Sequence, residues 1–229
     1  MDRTRRAEIA IRQSEVIAGY TKYIELVDDI CCGKELISTG MTQEVDRCRM
    51  ALKKAAEGKT VALISSGDAG IYGMAGLAIE LAEAEGLDVP IEVVPGVSAA
   101  NAAGGLLGAP LALDFATISL SDLLVPWQMI RQRLEAVAAA DLACALYNPK
   151  SKKRVTQLEE AAEIFRKHRP GATPVGVCDS IGLAEQSVII SDLDNFMKEK
   201  IAMRTIIVIG SSGTRVIRGR MVTPRGYQI

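Results

Sequence analysis

The stretch best suited to holding a small molecule is Ser65-Ser66-Gly67-Asp68-Ala69-Gly70-Ile71-Tyr72-Gly73-Met74-Ala75-Gly76. It follows an apolar run, Thr60-Val61-Ala62-Leu63-Ile64, and leads into a helix-like pattern, so it reads as a ligand-binding strand-to-helix turn. Glycine at positions 67, 70, 73 and 76 lets such a turn tighten, and lets a backbone or ligand approach the helix start without meeting a Cβ. Asp68 is the one charge there. A carboxylate suits a cationic or hydroxyl-bearing ligand group and repels a phosphate, which argues against a nucleoside triphosphate. Two alternatives stay open: glycines present for packing alone, and Asp68 as the cap of the following helix. The chain has no Gly-x-Gly-x-x-Gly fingerprint and no Gly-Lys-Ser/Thr loop, so neither NAD nor ATP is indicated.

Other candidate groups lie in the second half. The polar strand ends Ser119-Leu120-Ser121-Asp122 and Tyr147-Asn148-Pro149 are placed to face a cleft. Lys150-Ser151-Lys152-Lys153-Arg154 follows at once; it offers partners to a polycarboxylate or, equally, forms the solvated face of a surface helix. The only histidine, His168, sits in a basic helix end where it complements the carbonyl dipole. Five cysteines without Cys-x-x-Cys spacing read as reduced thiols, mostly small hydrophobes. One histidine and scattered thiols make a zinc site or a Ser-His-Asp triad a poor reading, and no metal is expected.

The elements that must position these groups alternate between strand-length apolar runs and helix-period segments. The spacing predicts helices over 3–15, 42–57 and 74–85 with strands at 16–18, 61–64 and 91–94, an α/β rhythm with a mostly parallel sheet. Pro95-Gly96 forms a turn, Ser98 caps, and the small residues 99–108 form a closely packed helix. The second half reads as strand 115–120, helix 127–139, strand 142–147, helix 156–167, and strands at 175–178, 187–190 and 206–209. Trp127, at a helix start, is read as a core or interface anchor. A boundary near Pro110 gives domains 1–110 and 111–229, with a cleft between them for a ligand. At 229 residues and 48% apolar content the chain can build a substantial core, and its net charge of -1 compels no nucleic-acid or membrane partner. No apolar run approaches the roughly 20 residues of a spanning helix, and no signal peptide is read, so a cytoplasmic location is expected.

Taken in order, two segments resemble the tetrapyrrole (corrin/porphyrin) methylase family over nearly the whole chain: Ser66-Gly67-Asp68-Ala69-Gly70-Ile71-Tyr72-Gly73, then Val94-Pro95-Gly96-Val97-Ser98-Ala99-Ala100-Asn101. Finer motifs are similar to its branch that methylates precorrin-3B at C17: Ile118-Ser119-Leu120-Ser121-Asp122-Leu123-Leu124 with Pro126-Trp127, Leu146-Tyr147-Asn148-Pro149-Lys150-Ser151, and Gly219-Arg220-Met221-Val222-Thr223-Pro224-Arg225-Gly226-Tyr227. The resemblance implies two α/β domains of the tetrapyrrole methylase type holding S-adenosylmethionine in their cleft, a homodimer, and C17 methylation of precorrin-3B or its cobalt counterpart with ring contraction, in cobalamin biosynthesis. It implies a cofactor pocket of Ser66, Gly67, Asp68, Gly70, Ile71, Tyr72, Ser98, Ser119, Leu120, Tyr147, Gly176 and Val177. Lys150, Lys152, Lys153 and Arg154 become partners for the macrocycle's carboxylate arms. Ser121 and Asp122 become candidates for proton movement, with helix capping before Pro126 as their alternative.

Three departures from the family pattern accompany the resemblance. The chain opens at Met1-Asp2-Arg3-Thr4, in what resembles the helix after the family's first strand and Gly-x-Gly-Pro-Gly loop, for which it has no counterpart. Leu113-Asp114-Phe115 stands where the family pattern has His-Asp-Phe, and Cys178-Asp179-Ser180-Ile181 replaces a more basic segment. Rival readings are a methylase of the same family acting at C11 or on a modified histidine, a truncated non-catalytic homologue that binds tetrapyrrole, and a nucleotide-dependent dehydrogenase. The missing fingerprint disfavours the last.

Overall fold

In the computed structural model, which describes residues 2–151 and 154–228, the chain forms two compact units, Asp2–Ser98 and Ala99 onward. The first unit contains α1 (Arg5–Gln13), β1 (Val16–Tyr20), α2 (Thr21–Glu25), β2 (Glu35–Thr39), α3 (Glu44–Ala56), β3 (Val61–Leu63) and α4 (Ala75–Ala84). Val16, Ile17 and Ala18 are at most 1% exposed, and such two-sided burial is what a central parallel strand requires. Accordingly β1 lies between β2 and β3, parallel to both, with Ile17 opposite Leu36 and Ala62. Thr4 starts α1 by accepting from the Ala7 N–H.

The second unit contains α5 (Ala99–Leu107), β4 (Gly108–Ala109), β5 (Phe115–Ser119), α6 (Trp127–Ala139), β6 (Ala143–Tyr147), α7 (Gln157–Arg166), β7 (Pro174–Asp179), β8 (Ser187–Asp192), β9 (Thr205–Ile209), β10 (Arg215–Ile217) and β11 (Arg220–Val222). Its main sheet has the order β5-β6-β9-β7-β8, with β5 parallel to β6 and the other pairs antiparallel. Alternation assigns the faces. Cys144, Leu146, Val175, Val177, Ile207 and Ile209 pack with Ile130 and Leu134 of α6 and Leu158 and Phe165 of α7. Their neighbours Ala145, Cys178, Ile206 and Val208 pack with Ala100, Ala103 and Leu107 of α5. The helices therefore sit on both faces of one sheet. Trp127 opens α6 and donates Nε1–H to Glu160 of α7 at 2.9 Å, tying the two helices together.

Several elements differ from expectation. The boundary between the units falls after Ser98, earlier than residue 110, because α5 buries its small face in the second unit's core. Residues 91–94 form no strand; they lie between Pro90 and Pro95 with Ile91 and Val93 exposed. Strand β2 has no signature in the sequence because it is a sheet edge whose residues are largely exposed, so it carries no apolar run. A three-stranded ribbon, β10-β11-β4, is equally silent.

Candidate functional site

In the first unit the glycine-rich segment leaves the end of β3 and coils before α4 begins. Ile71 N donates to Asp68 O, Ala75 N to Ala69 O, and Met74 N to Ser65 Oγ. Gly67 and Tyr72 hold left-handed backbone, φ 72° and 54°. Gly73 allows close approach: a Cβ there would lie 2.5 Å from Ala69 O. Gly70 and Gly76 are different, since a Cβ on Gly70 would meet only the Asp68 carboxylate at 3.3 Å and one on Gly76 would meet nothing within 4 Å. Half of the glycines are thus required by the coil, and the other two leave open surface.

Asp68 neither caps α4 nor points freely outward. Its Oδ1 accepts from Gly70 N at 2.8 Å and its Oδ2 from Gly96 N at 2.9 Å, whereas α4 starts at Ala75 without a side-chain cap. Residues 95–96, which form no turn, are thereby drawn onto the coil so closely that a Cβ on Gly96 would sit 2.0 Å from Gly67 O. Around this pin Ser66, Gly67, Gly70, Ile71 and Tyr72 remain exposed, and Ser98 is buried. An exposed isoleucine and tyrosine beside backbone unshielded by Cβ atoms suit a ligand with a flat face and polar edges, as an adenosyl group has.

In the second unit the polar groups gather where β5 and β6 end side by side, with Ser119 and Tyr147 in register. Ser119 Oγ accepts from Asn148 Nδ2 at 2.9 Å and from Ser121 N at 3.2 Å. Asn148 adopts φ 52°, a left-handed turn that asparagine tolerates, and this reverses the chain after β6. Its carbonyl accepts from Arg154 Nε at 2.8 Å. Arg154 is 9% exposed, and burial pulls its pKa down while the Asp122 charge offsets this. Asp122 Oδ2 accepts from Gln157 Nε2 at 2.9 Å. Tyr147 Oη accepts from Ala100 N at the start of α5, satisfying one of that helix's free N–H groups.

These positions sort the expectations. Ser119, Ser121, Asp122, Tyr147 and Arg154 come together at one end of the sheet. Ser121 and Asp122 do not cap α6, whose preceding residue Pro126 makes no side-chain cap. Leu120 contributes only backbone there, since its side chain is fully buried and its N–H donates to Tyr147 O. Gly176 and Val177 do not join them. Their strand β7 is paired on both sides, a Cβ on Gly176 would lie 2.3 Å from Leu107 Cδ1, and Val177 belongs to the α6–α7 core. That glycine serves packing. Lys150 is exposed, and Lys152 and Lys153 lie outside the described residues. His168 bonds Glu135 at 3.1 Å past the end of α7. The roles of Gly96 and Asn148 are not evident from the sequence, although Asn148-Pro149 is itself a turn signal.

The model of the tetrapyrrole (corrin/porphyrin) methylases matches residues 2–196. The chain belongs to that family. This tetrapyrrole methylase is 47% identical over 229 residues to the cobalt-factor III methyltransferase of Priestia megaterium, covering 98% of this chain but 42% of that protein. It is 43% identical over 220 residues to the probable cobalt-factor III C(17)-methyltransferase of Salmonella typhimurium, covering 96% of this chain and 91% of that one. Among solved structures, the methyltransferase CobJ matches this tetrapyrrole methylase with a TM-score of 0.90 and 34% identity, over 96% of this chain and 93% of CobJ. The cobalt-factor III relative from Priestia is therefore more than twice as long as the part matched here, whereas the Salmonella relative and CobJ are matched almost end to end.

Proposed function

We propose that this chain is an S-adenosylmethionine-dependent C-methyltransferase that methylates C17 of cobalt-factor III, the cobalt counterpart of precorrin-3B, with ring contraction, in cobalamin biosynthesis. The observation that carries the reading is near end-to-end likeness at 43% identity to a C17 relative, joined to the exposed glycine-rich coil that Asp68 pins. The names of both curated relatives favour the cobalt-containing substrate over the metal-free one.

S-adenosylmethionine, when bound, supplies a methyl group already activated as a sulfonium. The protein's task is then to hold the donor in line with a nucleophilic ring carbon and to exclude water, which needs neither a triad nor a metal. Ser66, Gly67, Gly70, Ile71 and Tyr72 of the coil are assigned to the cofactor, with Asp68 shaping their backbone. Ser98, Ser119, the backbone of Leu120, and Tyr147 complete that set, and Gly176 and Val177 are withdrawn from it. Ser121 and Asp122 are assigned to proton movement during contraction, because both sit at the strand ends and Asp122 is exposed. Lys150, Arg154 and, by sequence, Lys152 and Lys153 are assigned to the substrate's carboxylate arms. The working form is a cytoplasmic homodimer; among the described residues no helix is long and apolar enough to cross a membrane.

Calorimetric titration with S-adenosylhomocysteine tests the cofactor half, with one saturable site per chain expected. Incubation with cobalt-factor III and methyl-labelled S-adenosylmethionine tests the rest. Label at C17 is expected, and label at C11 would reassign the reaction.

A further inference from the structure

Three arginines, Arg47, Arg154 and Arg169, are buried, and their surroundings differ. Arg169 donates to Leu142 O and Gly210 O, pairs with Asp141 at 3.3 Å and stacks on Phe165. Arg47 spreads its nitrogens over Thr39 Oγ, Gly40 O and Met74 Sδ. Arg154 is the under-satisfied one. Its Nε is held by Asn148 O at 2.8 Å, its Nη1 reaches Ser121 Oγ only at 3.5 Å, and its Nη2 has no hydrogen-bond partner among the described residues. No described carboxylate lies within ion-pair distance of it, since Asp122 acts on it only at longer range and is engaged by Gln157.

A fold that buries a guanidinium without a counter-ion carries a desolvation cost that an anionic ligand removes. We propose that Arg154 is the receptor for one carboxylate arm of the tetrapyrrole, oriented by Asn148 and Ser121; this rests on the methyl-transfer reading above. Ser151 Oγ accepts the Arg154 N–H at 3.0 Å and Asn148 clamps Nε, so the planar fork is fixed before the ligand arrives. Its position just past the ends of β5 and β6 is where α/β sheets take their ligands. Two residues beyond Ser121, Leu123 and Leu124 are 76% and 92% exposed, an apolar step beside a cation. A macrocycle with a flat apolar body and ionised side arms presents the complementary pair of features, and a fork accepts a carboxylate in two parallel bonds.

The test uses the full chain with uroporphyrin III, its octamethyl ester and S-adenosylhomocysteine as probes, followed by absorbance titration and calorimetry. The wild type is expected to bind uroporphyrin III in a salt-sensitive way and the ester at least about tenfold more weakly. Arg154→Gln is expected to weaken uroporphyrin III by about tenfold or more and to leave S-adenosylhomocysteine affinity unchanged, with Arg154→Lys in between. Ser121→Asp adds an internal carboxylate beside Nη1; it is expected to fold and to compete, weakening uroporphyrin III as well. If both variants bind uroporphyrin III as the wild type does, Arg154 is a loop clip and the inference is overturned. A wild type that binds S-adenosylhomocysteine but not uroporphyrin III overturns it too, with the methyl-donor reading standing, and a wild type that binds neither overturns both.

Discussion

Asp68 Oδ2 accepts a 2.9 Å hydrogen bond from the backbone N–H of Gly96, across 28 residues of sequence, while its other oxygen holds Gly70. One carboxylate therefore makes the glycine-rich coil and the Pro95-Gly96 segment a single object. A hydrogen bond to a charged acceptor contributes roughly 1.5–3 kcal/mol, and here two share one partly exposed group. Asp68→Ala is expected to lower unfolding free energy by about 1–3 kcal/mol and S-adenosylhomocysteine affinity by about tenfold, read by urea melts and calorimetry. Lost affinity with unchanged stability would instead make Asp68 a direct ligand contact.

Glycines in this region divide into two kinds. A Cβ at Gly96 would lie 2.0 Å from Gly67 O, a backbone atom that cannot swing aside. Gly96→Ala is expected to cost more than about 2 kcal/mol, because relief requires parting this segment from the coil. Gly76, on the first turn of α4, has nothing within 4 Å of a Cβ. Gly76→Ala is expected to stabilise by roughly 0.5–1 kcal/mol, as alanine does in a helix. A melt in which both variants behave alike would contradict this division.

Gly176 and Leu107 form a matched pair, with the leucine occupying the space that a side chain on β7 would fill. Gly176→Ala is expected to destabilise by about 1–3 kcal/mol through overpacking. Leu107→Ala is expected to cost about 2–5 kcal/mol through a cavity. The double variant should cost less than the sum, since the new methyl group enters the vacated volume. S-adenosylhomocysteine affinity should be unchanged in Gly176→Ala at temperatures where it is folded; a large loss there would return Gly176 to the cofactor pocket.

Much of this architecture is legible locally. Helix α6 runs Trp127–Ala139 as its pattern predicts, because Pro126 sets its start and Ile130, Leu134 and Ala138 mark a buried stripe. Strands flanked by helices on both faces read as apolar runs. What is not legible depends on distant partners. Strand β2 exists because β1 needs a neighbour, and its own residues are mostly exposed. Nothing near Asp68 announces Gly96. Gly176-Val177 reads equally well as a cofactor strand or a core strand until Leu107 is seen against it. In the basic run beginning at Lys150, the first lysine is exposed and Arg154 is buried, a difference set by Asn148 folding the chain back.

Away from the site, Glu135 of α6 meets Lys167 Nζ and His168 Nε2, each at 3.1 Å, just past α7. The hydrogen bond from Lys167, then that from His168, holds its carboxyl below the ordinary value of 4.5. A carboxyl whose pKa is lower folded than unfolded binds fewer protons in the folded state. Its contribution is therefore fully present above about pH 4.5 and is lost as pH falls through the folded value. Glu135→Gln should differ from wild type in urea midpoint at about pH 6, by the small amount expected of an exposed cluster, and the difference should close as pH falls through and below the folded value. Added salt should narrow the gap at the higher pH as well. A midpoint difference that persists at the lower pH would assign the effect of Glu135 to packing between α6 and the end of α7, with its charge playing no part.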